Sequence, residues 1–170
     1  MDHGGGIDFE QWYRREHPRV VGTLTALCGS ADVAAESTDE AFARALARWP
    51  RVSRMASPGG WTYRVALNDL RRRMRRAATE RRAIDQLHAP SEVLDRPVDD
   101  DVWRSVRALP DRQRVAVVLR YVADLREADI AEAMQVSRGT VASNLSDARR
   151  SLARFLTDDQ SVVDSTEVSP

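Results

Sequence analysis

The stretch ALPDRQRVAVVLRYVADLREADIAEAMQVSRGTVASNLSDARRSLARFL, residues 108–156, decides the fold. It reads as a helix, a short helix, a three-residue turn and a long helix. Pro110 sits where a first helical residue tolerates a missing N–H. Val115, Val118, Leu119 and Val122 then place one apolar stripe on the first helix. A short helix over 126–134 carries Ile130, Ala131 and Met134 on one face, and Gln135-Val136-Ser137 interrupts it. Ser137 suits an N-cap, its hydroxyl placed to accept from the N–H of Thr140. From Val141 the apolar beat is Leu145, Ala148, Leu152 and Phe155. A short helix, a tight turn and a second helix projecting its N-terminus make a helix-turn-helix. Small Ala131 allows close approach of the two helices, while Val136 and Val141 plug the corner. Gly139 leaves the first turn of the long helix bare, so a phosphate or base edge can come close.

Working outward, composition sets the rest of the frame. The 170 residues suit one compact domain or two small ones. Only 6% of residues are aromatic, so the core is built mainly from Ala, Val and Leu, which suits closely packed helices. Formal net charge is +0, but all 26 basic residues are arginine and they are unevenly spread. The single Cys28 excludes an internal disulfide and a multi-cysteine zinc site, and reads as a small core residue. No apolar run approaches membrane-spanning length and no signal peptide opens the chain, so a cytoplasmic protein is expected. There is no Gly-rich phosphate loop, no histidine pair at metal spacing and no serine elbow. His3, His17 and His88 stand in unrelated contexts. Neither catalysis nor a cofactor or metal is expected; the chain reads as a binding protein.

Taken in order, residues 1–6 are a Gly-rich start. A first helix follows with Phe9, Trp12, Tyr13, Val20, Val21, Leu24 and Leu27, interrupted or kinked by Pro18 and ended by Gly29. A second, over 31–49, is capped by Ser30 and stopped by Pro50. Its Glu36, Asp39 and Glu40 precede Arg44 and Arg48, a gradient that suits the helix dipole. Residues 51–60 read as a loop, from which Ser57-Pro58 opens a third helix. Between Arg64 and Arg82 that helix has eight arginines against Asp69 and Glu80, a net of +6. Like charges on one helix repel, and an anionic partner such as DNA offsets them while releasing counterions. Residues 83–101 then turn acidic, with six acids against Arg96 and with Pro90 and Pro97, and read as a mobile linker. The acidity serves solubility or imitates DNA toward the basic helix. Helix formation resumes near Asp101 with Val102, Trp103, Val106 and Leu109. The plan is all-α: an N-terminal module over 7–82, a linker over 83–100, a helix-turn-helix module over 101–156 and a disordered tail over 157–170.

With both modules laid out, the sequence resembles the extracytoplasmic-function (ECF) branch of the sigma-70 family of bacterial RNA polymerase sigma factors. ALPDRQRVAVVLRYVADL resembles the opening of their C-terminal domain and IAEAMQVSRGTVASNLSDARRSL its helix-turn-helix. DEAFARALARW resembles the helix that grips the polymerase clamp, and WTYRVALNDLRRRMRR the helix that meets the minus-ten element. The resemblance runs from about Phe9 to Leu156. It implies that Asp39, Glu40, Phe42, Arg44 and Trp49 bind the clamp of the largest core polymerase subunit. It implies that Trp61, Asn68, Arg71, Arg72, Arg75 and Arg76 lie against the minus-ten DNA. Residues 51–60 would receive a flipped base of the non-template strand. Arg138, Thr140, Ser143, Asn144 and Arg149 would contact the minus-thirty-five element in the major groove. The flap of the second-largest subunit and an anti-sigma factor are further implied partners, and no membrane is.

Several positions depart from the family pattern. Gln135 replaces a turn Gly, and a left-handed backbone there costs a non-Gly residue about 1 kcal/mol or more, so a reshaped turn is expected. Arg126 replaces a capping Ser, leaving Asp124 as the substitute cap. Ala142, Asn144 and Asp147 replace common basic residues, so fewer phosphate contacts and a weaker upstream grip are expected. AAEST, residues 34–38, replaces an acidic-hydrophobic run on the polymerase-binding helix. The same residues also fit a stand-alone helix-turn-helix regulator, although no dimerisation helix is evident. They fit as well a degenerate sigma-like module that binds protein and not DNA.

Overall fold

The structure, a computed structural model, describes residues 8–85 and 101–164. Among them lie eight helices: α1 (Phe9–Cys28), α2 (Ala31–Ala47), α3 (Trp49–Val52), α4 (Pro58–Asp85), α5 (Asp101–Ala108), α6 (Asp111–Tyr121), α7 (Glu127–Met134) and α8 (Arg138–Asp164).

Local chemistry accounts for most boundaries. Asp8 caps α1 by accepting from the Gln11 N–H at 3.3 Å. Gly29 ends α1 in the left-handed conformation at φ 74°, where glycine carries no Cβ penalty. Ser30 accepts from the Val33 N–H to open α2, and Ser57 accepts from Gly60 at 2.9 Å to open α4. Pro18 lies inside α1 and does not break it. Pro50 does not stop a helix either: α2 already ends at Ala47, and Pro50 sits in the first turn of α3, where its lost N–H needs no partner. The expected loop over 51–60 therefore shrinks to residues 53–57.

α1, α2 and α4 form the N-terminal bundle. Six rings knit one end of it: Phe9, Trp12, Tyr13 and His17 from α1, Phe42 from α2 and Trp49 from α3. Trp12 has its centroid 4.8 Å from both Phe42 and Trp49, and edge-on or tilted pairs at this range stabilise beyond their buried area. At the other side Tyr63 is fully buried and its hydroxyl meets Thr23 Oγ1 at 3.2 Å. Burial raises the Tyr63 pKa, against the opposing pull of that hydrogen bond.

α5 to α8 form the C-terminal bundle around Leu119, Ile130, Val141, Leu145 and Ala148, all fully buried. Ser137 caps α8 as its sequence predicts, accepting from the Thr140 N–H at 3.0 Å. Gln135 adopts the left-handed conformation (φ 55°, ψ 46°), so the turn keeps its shape and Gln bears the strain. Asp124 does not cap α7. It is itself left-handed at φ 52°, and Arg126 holds the cap position with no side-chain cap hydrogen bond. α8 continues through residues 157–164, where a disordered tail is expected from sequence; TDDQSVVD contains no Gly or Pro to stop it. α4 runs on through residues 83–85, where the linker expected over 83–100 begins; the rest of that linker and of the tail falls outside the described residues.

The two bundles are not held apart. α4 packs along α7, and α1 touches α6. The buried side chains of both halves join in one connected cluster running from Trp12 to Ala148.

Candidate nucleic-acid interface

α4 positions the basic surface. Asn68, Arg72, Arg75 and Arg76 are exposed and Arg71 half-buried, spaced three and four residues apart so that successive turns stack them along the helix. The buried partner of this surface is Asp69, only 5% exposed. Its carboxylate accepts from Arg72 and from Arg73, the latter at 2.5 Å, and Arg73 reaches on to Glu36 of α2. Burial alone would raise the Asp69 pKa, but the hydrogen bonds from Arg73 and Arg72 outweigh it and hold it below the usual carboxylate range. The same hydrogen bond raises the pKa of Arg73. Arg73 is thus a structural cross-tie between α4 and α2. Among the described residues Arg71 and Arg75 form no ion pair, and Arg76 only an exposed one with Glu80 at 2.9 Å. Of the net +6 in the sequence, Arg71, Arg75 and Arg76 are among the guanidinium groups α4 presents with little internal compensation.

Trp61, expected against DNA, is 7% exposed and belongs to the core. It anchors the first turn of α4 in the core and is nearly withdrawn from the surface. Phe42, expected on the polymerase-binding face, is likewise buried, at the centre of the ring cluster. On that face Glu40 pairs with Arg44 at 2.6 Å, and Asp39 Oδ1 lies 2.7 Å from His17 Nε2. His17 ties α1 to α2 through Asp39, a role that spacing cannot reveal because its partner is 22 residues away. Trp49 is half-buried at the edge of the same face.

On α8, Arg138 and Ser143 are exposed, while Thr140 and Asn144 are partly covered. The Thr140 hydroxyl shares the cap with Ser137 at 2.8 Å, and the Asn144 amide donates to the Thr140 carbonyl at 2.7 Å. Arg149 turns toward α6, its Nε donating to the Tyr121 hydroxyl at 3.1 Å. It lines an apolar groove with Val102, Trp103, Val117, Tyr121 and Val122, away from the other recognition residues. Asp147 is paired with Arg150, which offsets the negative charge expected to repel a phosphate backbone.

Among the described residues no group of acidic, His or Cys side chains could hold a metal ion, and no helix is long and apolar enough to cross a membrane. A basic helix on one bundle and a capped helix-turn-helix on the next define a two-module helical DNA-binding protein.

Comparison with known proteins narrows the class. The family description "Sigma-70 region 2" matches residues 12–80 and "Sigma-70, region 4" residues 99–152. The ECF RNA polymerase sigma factor SigM of Mycobacterium tuberculosis is 31% identical over 157 residues, covering 90% of this chain and 79% of that protein. An uncharacterized protein of Rhizobium meliloti is 32% identical over 151 residues; the match spans 80% of this chain but only 36% of that longer protein. Among solved structures, the sigma factor RpoE of Bartonella quintana, crystallised with the anti-sigma factor NepR, superposes over 88% of this chain and 97% of its own with a TM-score of 0.70 at 21% identity, a likeness of fold. The chain belongs to the ECF RNA polymerase sigma factors of the sigma-70 family. Proteins of this kind are regulatory and non-catalytic.

Proposed function

We propose that this chain directs core RNA polymerase to promoters by gripping DNA at two places. Asp39, Glu40, Arg44 and Trp49 meet the clamp of the largest subunit. Asn68, Arg71, Arg72, Arg75 and Arg76 lie on the minus-ten DNA, and loop 53–57 accepts a base flipped from the non-template strand. Melting then follows from trapping an unstacked base beside a cationic helix. The N-terminal turns of α8 enter the major groove of the minus-thirty-five element through Arg138, Thr140, Ser143 and Asn144. The apolar groove beside Arg149 takes the flap of the second-largest subunit. The protein has no enzymatic activity of its own and works in the cytoplasm, where an anti-sigma factor holds it inactive.

The observation that carries this reading is the division of arginines on α4: Asp69 and Glu36 occupy Arg72 and Arg73, while Arg71 and Arg75 are without internal partners among the described residues. A helix that only needed solubility has no reason to keep uncompensated cations clustered. Run-off transcription with purified core polymerase and a promoter library tests it. Initiation at defined start sites is the expected result. Duplex binding that needs no polymerase would instead identify a stand-alone regulator.

A further inference from the structure

Thr140 and Asn144 stand one turn apart on the same side of α8. A carbonyl oxygen can only accept, so the 2.7 Å contact turns the Asn144 amide nitrogen toward the Thr140 carbonyl and fixes which way the amide faces. The turn that carries this carbonyl is itself held, because Ser137 Oγ accepts from the Thr140 N–H and meets the Thr140 hydroxyl. A primary amide has two N–H donors and one carbonyl oxygen. After the bond to Thr140, one N–H and Oδ1 of Asn144 are left without a partner among the described residues. The surroundings are open. Gly139, Ala142, Ser143 and Ser146 are small and exposed, and Asn144 itself is half-covered at their border. A Cβ at Gly139 would meet only Ser137 Oγ, at 3.7 Å. No bulky side chain at these four positions holds the helix off a groove floor, and a side chain as short as asparagine needs that close approach.

In the major groove adenine alone presents a donor beside an acceptor, N6–H and N7. Guanine presents two acceptors, cytosine a donor, and thymine an acceptor with a methyl group. We propose that Asn144 is a specificity-determining residue that reads one adenine of the minus-thirty-five element. Its Oδ1 accepts from N6 and its remaining N–H donates to N7. The bond to Thr140 has already removed the rotation that exchanges oxygen and nitrogen, so the edge offered to DNA is set before DNA arrives. A bidentate match of this kind favours the right base about tenfold or more. The inference rests on the placing of α8 in the major groove and adds the base that one of its residues selects. A side chain that only satisfies a helix carbonyl four residues back is a common local device, and it carries no base preference.

The test uses the full chain on core RNA polymerase and a promoter found by the run-off assay, randomised only across its minus-thirty-five region. Transcripts from the wild type should enrich adenine at one position, on one strand, by about tenfold. Asn144→Ala should level the four bases at that position and leave the preferences at the others in place. Asn144→Arg should move the preference there to guanine, whose O6 and N7 a guanidinium meets bidentately. An altered preference at one position, with its neighbours unchanged, is a result that a merely destabilised helix cannot give. The inference is overturned if Asn144→Ala leaves every adenine preference intact or weakens all positions alike. It is equally overturned if Asn144→Arg keeps adenine. In each of these cases initiation at defined sites persists and the sigma-factor reading stands. A chain that starts transcription nowhere removes that reading, and the inference with it.

Discussion

α4 and the start of α8, the two helices proposed to face DNA, are built on opposite plans. α4 spends a buried acid, Asp69, to fix two of its arginines and leaves Arg71 and Arg75 without ion-pair partners among the described residues. α8 offers Arg138 alone in its first turn and surrounds it with hydroxyls and an amide that are partly consumed by the cap. The first surface is suited to holding any polyanion strongly. The second is suited to discriminating base edges with little electrostatic help. On the proposed roles the two halves divide affinity from selectivity, and that division can be broken experimentally.

The largest effect is expected from Arg71→Ala with Arg75→Ala. Open-complex formation should be lost while core polymerase binding persists, read by permanganate footprinting and co-elution; initiation at wild-type level would remove α4 from its role. In the C-terminal half, Ile130→Ala should cost about 2–5 kcal/mol in urea denaturation, because Ile130 is fully buried between α7 and α8. It should loosen the recognition helix and, through the α4–α7 contact, the junction between the two bundles.

Asp69→Asn comes next, at about 1–3 kcal/mol, since two guanidinium groups lose the carboxylate charge and one of them faces an amide donor in place of an acceptor oxygen. The pH dependence has a defined sign. The folded pKa of Asp69 lies below its unfolded value near 3.9, so its contribution is complete above about pH 4. It is lost as pH falls through the lower folded value. Asp69→Asn should remove that part of the acid sensitivity, seen as a flatter midpoint-against-pH curve.

Salt dependence sharpens the contrast between the helices. In binding of the holoenzyme to promoter DNA, the double arginine variant should lower the salt slope by about 2, and Arg138→Ala by about 1 with a loss of selectivity at one base position. Gln135→Gly should have the smallest effect, a gain of about 0.5–1 kcal/mol from relieving φ 55°, measured by thermal melting.

Much of the architecture could be read before any coordinates. The Ser30, Ser57 and Ser137 caps, the Gly29 terminator and the helix-turn-helix are local, set by hydrogen bonds within four residues and by the 3.6-residue beat. Sequence position also identified the basic helix, because charge is additive along a chain. It misjudged Trp61 and Phe42, since a family motif does not say which side chain of a turn points inward. It missed the His17–Asp39 tie, the Arg73–Glu36 tie and the Arg64–Glu132 pair, whose partners lie 22, 37 and 68 residues apart.

From its sequence alone, then, this chain was already committed to helices, caps, a cationic stretch and a recognition turn, since each depends on neighbours along the backbone. Tertiary structure decided which arginines are neutralised, which aromatics are core and whether the halves stand apart. Those outcomes depend on what meets across space, and only packing brings Asp69 under its arginines or Glu132 onto Arg64.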